Sequence, residues 1–426
     1  MREGAVLVRG SRIAAFGLLA ELERSHPDEP VTRHEGCVLV PGLVNAHTHL
    51  ALTALEGVVP SAPFAEWIGS VVPAMRMLDA DDLVASAVLG AHRSLTAGVT
   101  VVGDIAYGPE SPAIAADSGL GGTFFWEVLG IPATSLDEEL ERAEYPQDPE
   151  ICTTARTRYG LSPHSTYTSG PALLQAIYER ALAEQAGFAI HLAESPAEVE
   201  LLVDGSGPLA EVAARTADGF NSPETTPVDY LEDLGVLQDA LVIHCAELAA
   251  ADISRLASRC VGVVLCPRSN AYLHVGPAPV HDLDHAGVPL ALGTDSLASN
   301  TDLDLFAEAR ALTRIAPGLS AERIIRMMTE DGAAALGLAG SFGTLEPGRQ
   351  ADLAIYQVGP SDRPHEALLE TGGRSTVQAV MSSGVWRVLS GRATSPISSL
   401  ETAVRHAAAK AASACTTPRN GPTRRP

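Results

Sequence analysis

The segment PGLVNAHTHL (41–50) leads through a short apolar run into two histidines one residue apart. Residues 44–48 are too few for a stable helix and read as a buried strand. Side chains alternate along a strand, so His47 and His49 fall on one side of its end. Two imidazoles placed that way can share a metal ion. The pattern recurs: apolar runs at 44–48, 99–103, 122–127, 152–161, 188–192, 241–245, 261–265 and 289–293 read as strands. Helices are expected at 81–97, 171–186, 196–203, 208–217, 250–259, 303–314 and 321–336. Eight strands alternating with helices predict an α/β fold, a (β/α)8 TIM barrel rather than an open sheet. Neither GxGxxG nor GxxxxGK[ST] occurs to favour a dinucleotide or P-loop site.

Both ends of the chain have a different texture. GAVLVRG and SRIAAFG near the start, and the short runs after residue 343, are strands punctuated by turns. We read residues 1–43 and 343–391 as one composite β-sandwich domain and 44–342 as the barrel. Residues 392–426, rich in Ala, Ser, Thr, Pro and Arg, read as a flexible tail with at most a short helix at HAAAKAA. The region 204–230 is expected to hold a helix and an irregular loop beside the active face.

Composition excludes several classes. Asp and Glu total 52 against 29 Lys and Arg, a net charge of −23, which argues against a nucleic-acid partner. No apolar stretch escapes Gly, Pro or charge long enough to span a membrane, and the N-terminus does not read as a signal peptide. Six cysteines without a framework suit a reducing, cytoplasmic setting. Lysine occurs once, as Lys410.

In a (β/α)8 barrel the C-terminal strand ends form the active face. There the sequence places His47 and His49, His164, His191 with Glu194, His244 and Asp295, each after an apolar run. Three imidazoles (47, 49, 191) and the Asp295 carboxylate suit zinc, or ferrous iron, and leave a position for water. His244 could be a further ligand or a base holding that water. Glu194, three residues past His191, could shuttle protons; the plainer reading is a helix N-terminal glutamate bonded to backbone amides. His164 could orient substrate or cap its loop.

The chain resembles the metal-dependent amidohydrolase superfamily, in its cytosine and nucleoside deaminase-like branch. The resemblance rests on PGLVNAHTHL (41–50), SPHSTYTS (162–169), HLAES (191–195), HCAEL (244–248), CPRSNAYL (266–273), LGTDSLASN (292–300) and LEPGRQADLAI (345–355). It implies His47, His49, His191 and Asp295 as ligands of one divalent metal, and Glu194, His244 and Asp295 as catalytic residues. Dinuclear relatives usually bridge their metals with a carbamylated barrel lysine, and this chain has none before residue 410. Relatives often carry one more strand upstream of where this chain's first strand begins. The resemblance also implies a small nucleoside as partner and allows a homodimer.

PFAEW (63–67) resembles the sugar-side segment of methylthioadenosine and S-adenosylhomocysteine deaminases, with Trp67 as a substrate-binding residue. Those enzymes usually carry a carboxylate two positions before the tryptophan, where this chain has Ala65. The whole set of motifs looks closer to aminodeoxyfutalosine deaminases of menaquinone biosynthesis. Deamination of 6-amino-6-deoxyfutalosine is therefore the expected activity. The alternatives are deamination of methylthioadenosine or S-adenosylhomocysteine, or hydrolysis of another aminated N-heterocycle. Arg156, Arg158 and Arg268 are the candidates to meet the benzoate carboxylate of the futalosine substrate.

Overall fold

The computed structural model describes residues 1–108, 110–130, 137–138, 153–216, 220–259, 262–395 and 398–416. The strands are β1 Gly4–Arg9, β2 Arg12–Leu18, β3 Cys37–Pro41, β4 Leu43–Thr48, β5 Val99–Ala106, β6 Gly121–Glu127, β7 Thr157–Ser162, β8 Gly187–Leu192, β9 Leu241–His244, β10 Gly262–Leu265, β11 Leu290–Leu292, β12 Leu353–Gln357, β13 Val377–Ser382, β14 Val385–Leu389 and β15 Arg392–Ala393. Strands β4 to β11 form one eight-stranded sheet in sequential order, every recorded pairing parallel. Each matches an expected strand, although positions 152 and 261 of those runs lie outside the described residues. Val44, Ala46, Val101, Ile105, Phe125, Ala189, Ile243 and Val264 fill the interior. Their alternate neighbours, among them Leu43, Val102, Phe124, Ile190, Val242 and Val263, face the helices. Burial on both faces is why these strands read as continuous apolar runs.

The barrel closes between β4 and β11 through a short seam. Thr48 and Asp295 form an isolated parallel bridge. The amides of Thr294 and Asp295 both donate to the His47 carbonyl, at 3.0 and 3.1 Å. Asn45 and Thr294 exchange two further bonds, 2.8 and 3.0 Å long. Gly293 permits this approach, because a Cβ there would lie 2.9 Å from both the backbone nitrogen and oxygen of His47.

The composite β-sandwich follows the expected plan. β3 from the N-terminal part pairs with β12 in a five-stranded antiparallel sheet ordered β15-β14-β13-β12-β3. The β1–β2 hairpin covers it, with Val6, Val8, Ile13, Leu353 and Met381 packed between. Around residues 204–230 a helix spans Ala210–Thr216 and another Pro227–Asp233, with positions 217–219 outside the described residues. The expected helix 321–336 is two, Ala321–Met327 and Glu330–Ala335, broken where Thr329 takes φ −138° and ψ −95°.

The flexible-tail reading is corrected for residues 398–416. They form one 19-residue helix whose Val404, Ala407 and Ala411 are buried against Leu52, Leu55, Val71, Ala74 and Leu89. Alanine gives this segment its helix propensity, and an apolar stripe at 400, 404, 407 and 411 gives it a face to bury. Its Lys410 ammonium donates at 2.6 Å to both Asp79 and Asp82. Among the described residues no helix is long and apolar enough to cross a membrane.

The seam makes a direct prediction. Changing Gly293 to Ala forces a methyl group into the His47 backbone and should cost about 1–3 kcal/mol of stability. Chemical denaturation of the purified variant checks this, and unaltered stability would mean the seam yields freely.

Candidate metal centre

The seam also delivers the chemistry. His47 and His49 leave the end of β4, His191 lies near the end of β8, His244 ends β9, and Asp295 follows β11. All five side chains are buried. The donor atoms of His47, His49 and Asp295 lie within 4.8 Å of one another, as do those of His47, His191 and His244. Asp295 Oδ1 stands 3.4 Å from Nε2 of both His47 and His49. That is long for a charge-assisted hydrogen bond. It is the spacing of two ligands each about 2.1 Å from one ion in a tetrahedral shell. The other carboxylate oxygen, Oδ2, is held by the hydroxyls of Ser269 and Ser299 at 2.6 and 2.7 Å.

The outer nitrogens are also occupied. His191 Nδ1 donates to the His164 carbonyl at 2.8 Å, leaving Nε2 for the cavity. His49 Nδ1 lies 3.2 Å from the Tyr107 hydroxyl. His244 Nδ1 lies 3.0 Å from Asn270 Oδ1, while its Nε2 is buried without a hydrogen-bond partner among the described residues. Second nitrogens fixed in this way set the tautomer that aims the first at a metal. The donors therefore fit a divalent ion. Burial, and then the neighbouring rings, pull His49 down to about 3; burial brings His244 to about 4. Both rings are thus neutral near pH 7, as ligation requires. Burial pushes the Asp295 carboxyl up, but the rings of His47, His49 and His244 outweigh it and hold it well below the carboxylate range.

Glu194 stands beside this set, its Oε1 3.5 Å from His244 Nε2. Burial, followed by the charges of Asp295 and Glu198, pushes its carboxyl well above the usual range. It does not cap the following helix; Ser195 does, accepting from the Glu198 amide. His244 and Asp295 take positive φ, 71° and 57°, a strained backbone of the kind that clusters at active sites. The His164 ring is 5.1 Å from that of His191, and its Nδ1 engages Ser165 and Thr168 at 3.1 Å. Trp67 donates its indole N–H to the Ala298 carbonyl at 3.0 Å, tying the Phe64–Met75 helix to the loop after Asp295.

The three arginines are not brought together at this centre. Arg156 precedes β7, at the opposite end of the barrel, and pairs with both oxygens of Asp352 at 2.8 and 3.0 Å. Arg158, early in β7, donates to the carbonyls of Leu336, Gly337 and Gln185. Arg268 lies at the active face but spends its guanidinium on Asp302, at 2.7 and 3.0 Å, and on Thr301. The residue type suited a carboxylate, but strand position decides which end of the barrel an arginine occupies.

Sequence reasoning assigned no role to several contributors. Ser269 and Asn270 lie within CPRSNAYL, and Ser299 within LGTDSLASN, so a serine or asparagine in a matched motif was the available signal. Glu198 is buried and accepts the Glu194 amide at 2.8 Å and the Thr166 hydroxyl at 2.6 Å. Its signal was the S-x-x-E spacing of Ser195 and Glu198 at a helix start. Tyr107 and Asp104 carried no motif.

A polar centre at the C-terminal mouth of a TIM barrel, with a His/His/Asp cluster able to hold a divalent metal, defines a metal-dependent hydrolase. Comparison with known proteins agrees. The Amidohydrolase family matches residues 38–387, and a bacterial imidazolonepropionase-like composite domain matches residues 4–28. An aminodeoxyfutalosine deaminase of Deinococcus radiodurans is 35% identical over 356 residues, 78% of this chain and 81% of its own length. A 5-methylthioadenosine/S-adenosylhomocysteine deaminase of Syntrophobacter fumaroxidans is 35% identical over 373 residues, 83% of this chain and 79% of its own. The crystal structure of an adenosine deaminase from Xanthomonas campestris with bound zinc superposes with TM-score 0.83 at 26% identity, covering 97% of this chain and 94% of that one. The chain belongs to the amidohydrolase family.

Replacing Arg156 with Ala tests its relocation. The substitution strands the buried Asp352 carboxylate and should cost about 3–5 kcal/mol of stability. kcat/KM of the folded variant should stay at the wild-type value; a selective rise in KM would return Arg156 to the substrate.

Proposed function

We propose that this protein is a hydrolytic deaminase of an adenine nucleoside, with 5'-methylthioadenosine or S-adenosylhomocysteine as substrate. The observation that carries the reading is Glu194. A buried carboxyl kept neutral by its surroundings stands beside His244 at the rim of the metal cluster. His47, His49, His191 and Asp295 would hold one divalent ion, zinc or, as the alternative, ferrous iron. When bound, such an ion lowers the pKa of water so that hydroxide is available near neutrality. The absence of any lysine before residue 410 supports one ion rather than two.

The chain's own residues supply the proton handling. Glu194 holds a proton and delivers it to N1 of the adenine ring, which makes C6 electrophilic. His244, with Nε2 free and Nδ1 anchored on Asn270, accepts a proton from the attacking water together with Asp295. Water's oxygen bonds to C6, and its remaining proton passes to the Glu194 carboxylate, which hands it to the amino nitrogen; the C6–N bond then breaks, ammonia leaves, C6 becomes a carbonyl, and the proton held by His244 restores Glu194. Trp67 and His164 border the base and sugar.

The Syntrophobacter relative supports methylthioadenosine or S-adenosylhomocysteine, and the commitment of all three candidate arginines elsewhere favours methylthioadenosine, the one without a carboxylate. Aminodeoxyfutalosine is the second reading, favoured by the Deinococcus relative at the same identity. Ammonia release should be compared as kcat/KM for methylthioadenosine, S-adenosylhomocysteine, adenosine and aminodeoxyfutalosine. We expect methylthioadenosine or S-adenosylhomocysteine to lead. A lead for aminodeoxyfutalosine would establish the second reading, and no release from any of the four would sink both.

Glu194→Gln should keep one divalent ion per chain by elemental analysis and lower kcat by roughly 10²–10⁴. Retained turnover would remove the shuttle role, and two ions per active chain would remove the single-metal claim.

A further inference from the structure

The C-terminal end of β5 carries two side chains that reach across to the His47–His49 segment. Asp104 is buried, and its Oδ1 accepts the backbone amide of Leu50, the residue after His49, at 2.8 Å. Tyr107 places its hydroxyl 3.2 Å from His49 Nδ1, with the two rings 5.9 Å apart. One contact fixes the backbone beside His49 and the other fixes its ring. Nothing in the family motifs includes either residue.

The donor and acceptor roles along this line can be worked out. The Tyr107 hydroxyl also bonds to the side chain of Glu127, at the end of β6. With Nε2 as the ligand atom, the neutral His49 ring carries its proton on Nδ1, and the Tyr107 oxygen accepts it. The ring's lone pair is then on Nε2, the atom 3.4 Å from Asp295 Oδ1. A ring with the opposite tautomer would present a proton to the metal cluster instead.

We propose that Tyr107 and Asp104 are positioning residues for His49: Tyr107 selects the tautomer and orientation of the ring, and Asp104 pins the backbone that carries it. Neither is a ligand and neither touches substrate. Both act by keeping His49 Nε2 aimed at the ion, and the inference rests on the reading of His49 as a ligand. An unsupported imidazole would have to pay its ordering entropy each time metal binds. Loss of such an outer partner typically weakens metal binding by about 10–100-fold.

The test measures zinc affinity by competition with a chromophoric chelator, alongside thermal unfolding of the metal-free proteins. The chains compared are wild type, His49→Ala, Tyr107→Phe, Asp104→Ala and Asp104→Asn. Tyr107→Phe keeps the ring but removes the acceptor. It should bind zinc about 10–100-fold more weakly, with metal-free stability near wild type. Asp104→Asn retains an oxygen for the Leu50 amide and should restore most of the affinity that Asp104→Ala loses. His49→Ala reports on the underlying assignment: if it binds zinc as tightly as wild type, His49 is not a ligand and the metal reading itself fails. If His49→Ala weakens binding but Tyr107→Phe binds like wild type, the positioning role is overturned while the metal reading stands. Equal loss in Asp104→Asn and Asp104→Ala would overturn the role given to Asp104.

Discussion

The contact between β4 and β11 is where fold and chemistry share the same atoms. The amides of Thr294 and Asp295 close the barrel on the carbonyl of His47, so the last strand cannot dock without bringing the carboxylate to the histidines. Asp295 reaches that position with φ at 57°, a conformation that disfavours residues other than glycine. The surrounding seam overrides this local cost through Asn45, Thr294 and two serine hydroxyls on Oδ2. A donor set assembled by barrel closure is rigid before a metal arrives. Preorganisation of this kind is what a site needs to hold its ligands without reorganising during reaction.

Burial does the electrostatic work around that seam, and it acts in opposite senses on neighbouring groups. The imidazoles of His49 and His244 are held neutral, which leaves lone pairs for an ion. Glu194 is also held neutral, which leaves it a proton to give. Asp295 alone is kept charged, because the three rings offset its burial. Two carboxyls near one cluster thus have different protonation states, the separation that distinguishes an acid from a ligand. The charge of −23 says nothing of this, since a net charge does not record the surroundings of a single carboxyl.

The strands of the barrel were legible because burial on both faces leaves an unbroken apolar run, and the five strand-end donors were legible because each run stops at a polar residue. His47, His49, His191, His244 and Asp295 all emerge that way. Supporting residues were not legible by the same logic. Tyr107 and Asp104 act on His49 from a neighbouring strand, about 55 positions along the chain, and only the parallel pairing of β4 with β5 brings them there. The C-terminal helix was hidden by its composition: low hydrophobicity and many small residues read as a tail. A stripe of Val404, Ala407 and Ala411 suffices when the surface it meets, around Leu52, Leu55 and Ala74, is equally flat.

The arginines show which physical rule was missing from the sequence argument. Charge and hydrogen-bonding capacity selected Arg156, Arg158 and Arg268 for an anionic substrate, but a barrel has a direction. Residues at the start of a strand lie at the stabilising end, and residues at its finish lie at the reactive one. Arg156 comes before β7 and Arg158 second in it, so both belong to the end that the composite β-sandwich and the Leu336–Gly337 turn cover. Arg268 follows β10 and is at the correct end, yet its pairing with Asp302 anchors the short helix that carries Ser269 to the carboxylate of Asp295. Its guanidinium is thereby committed to the loop that leads to the cluster. None of the three arginines is therefore free beside the cluster. Residue type named the chemistry an arginine could do, and strand direction and local ion pairs decided whether it was placed to do it.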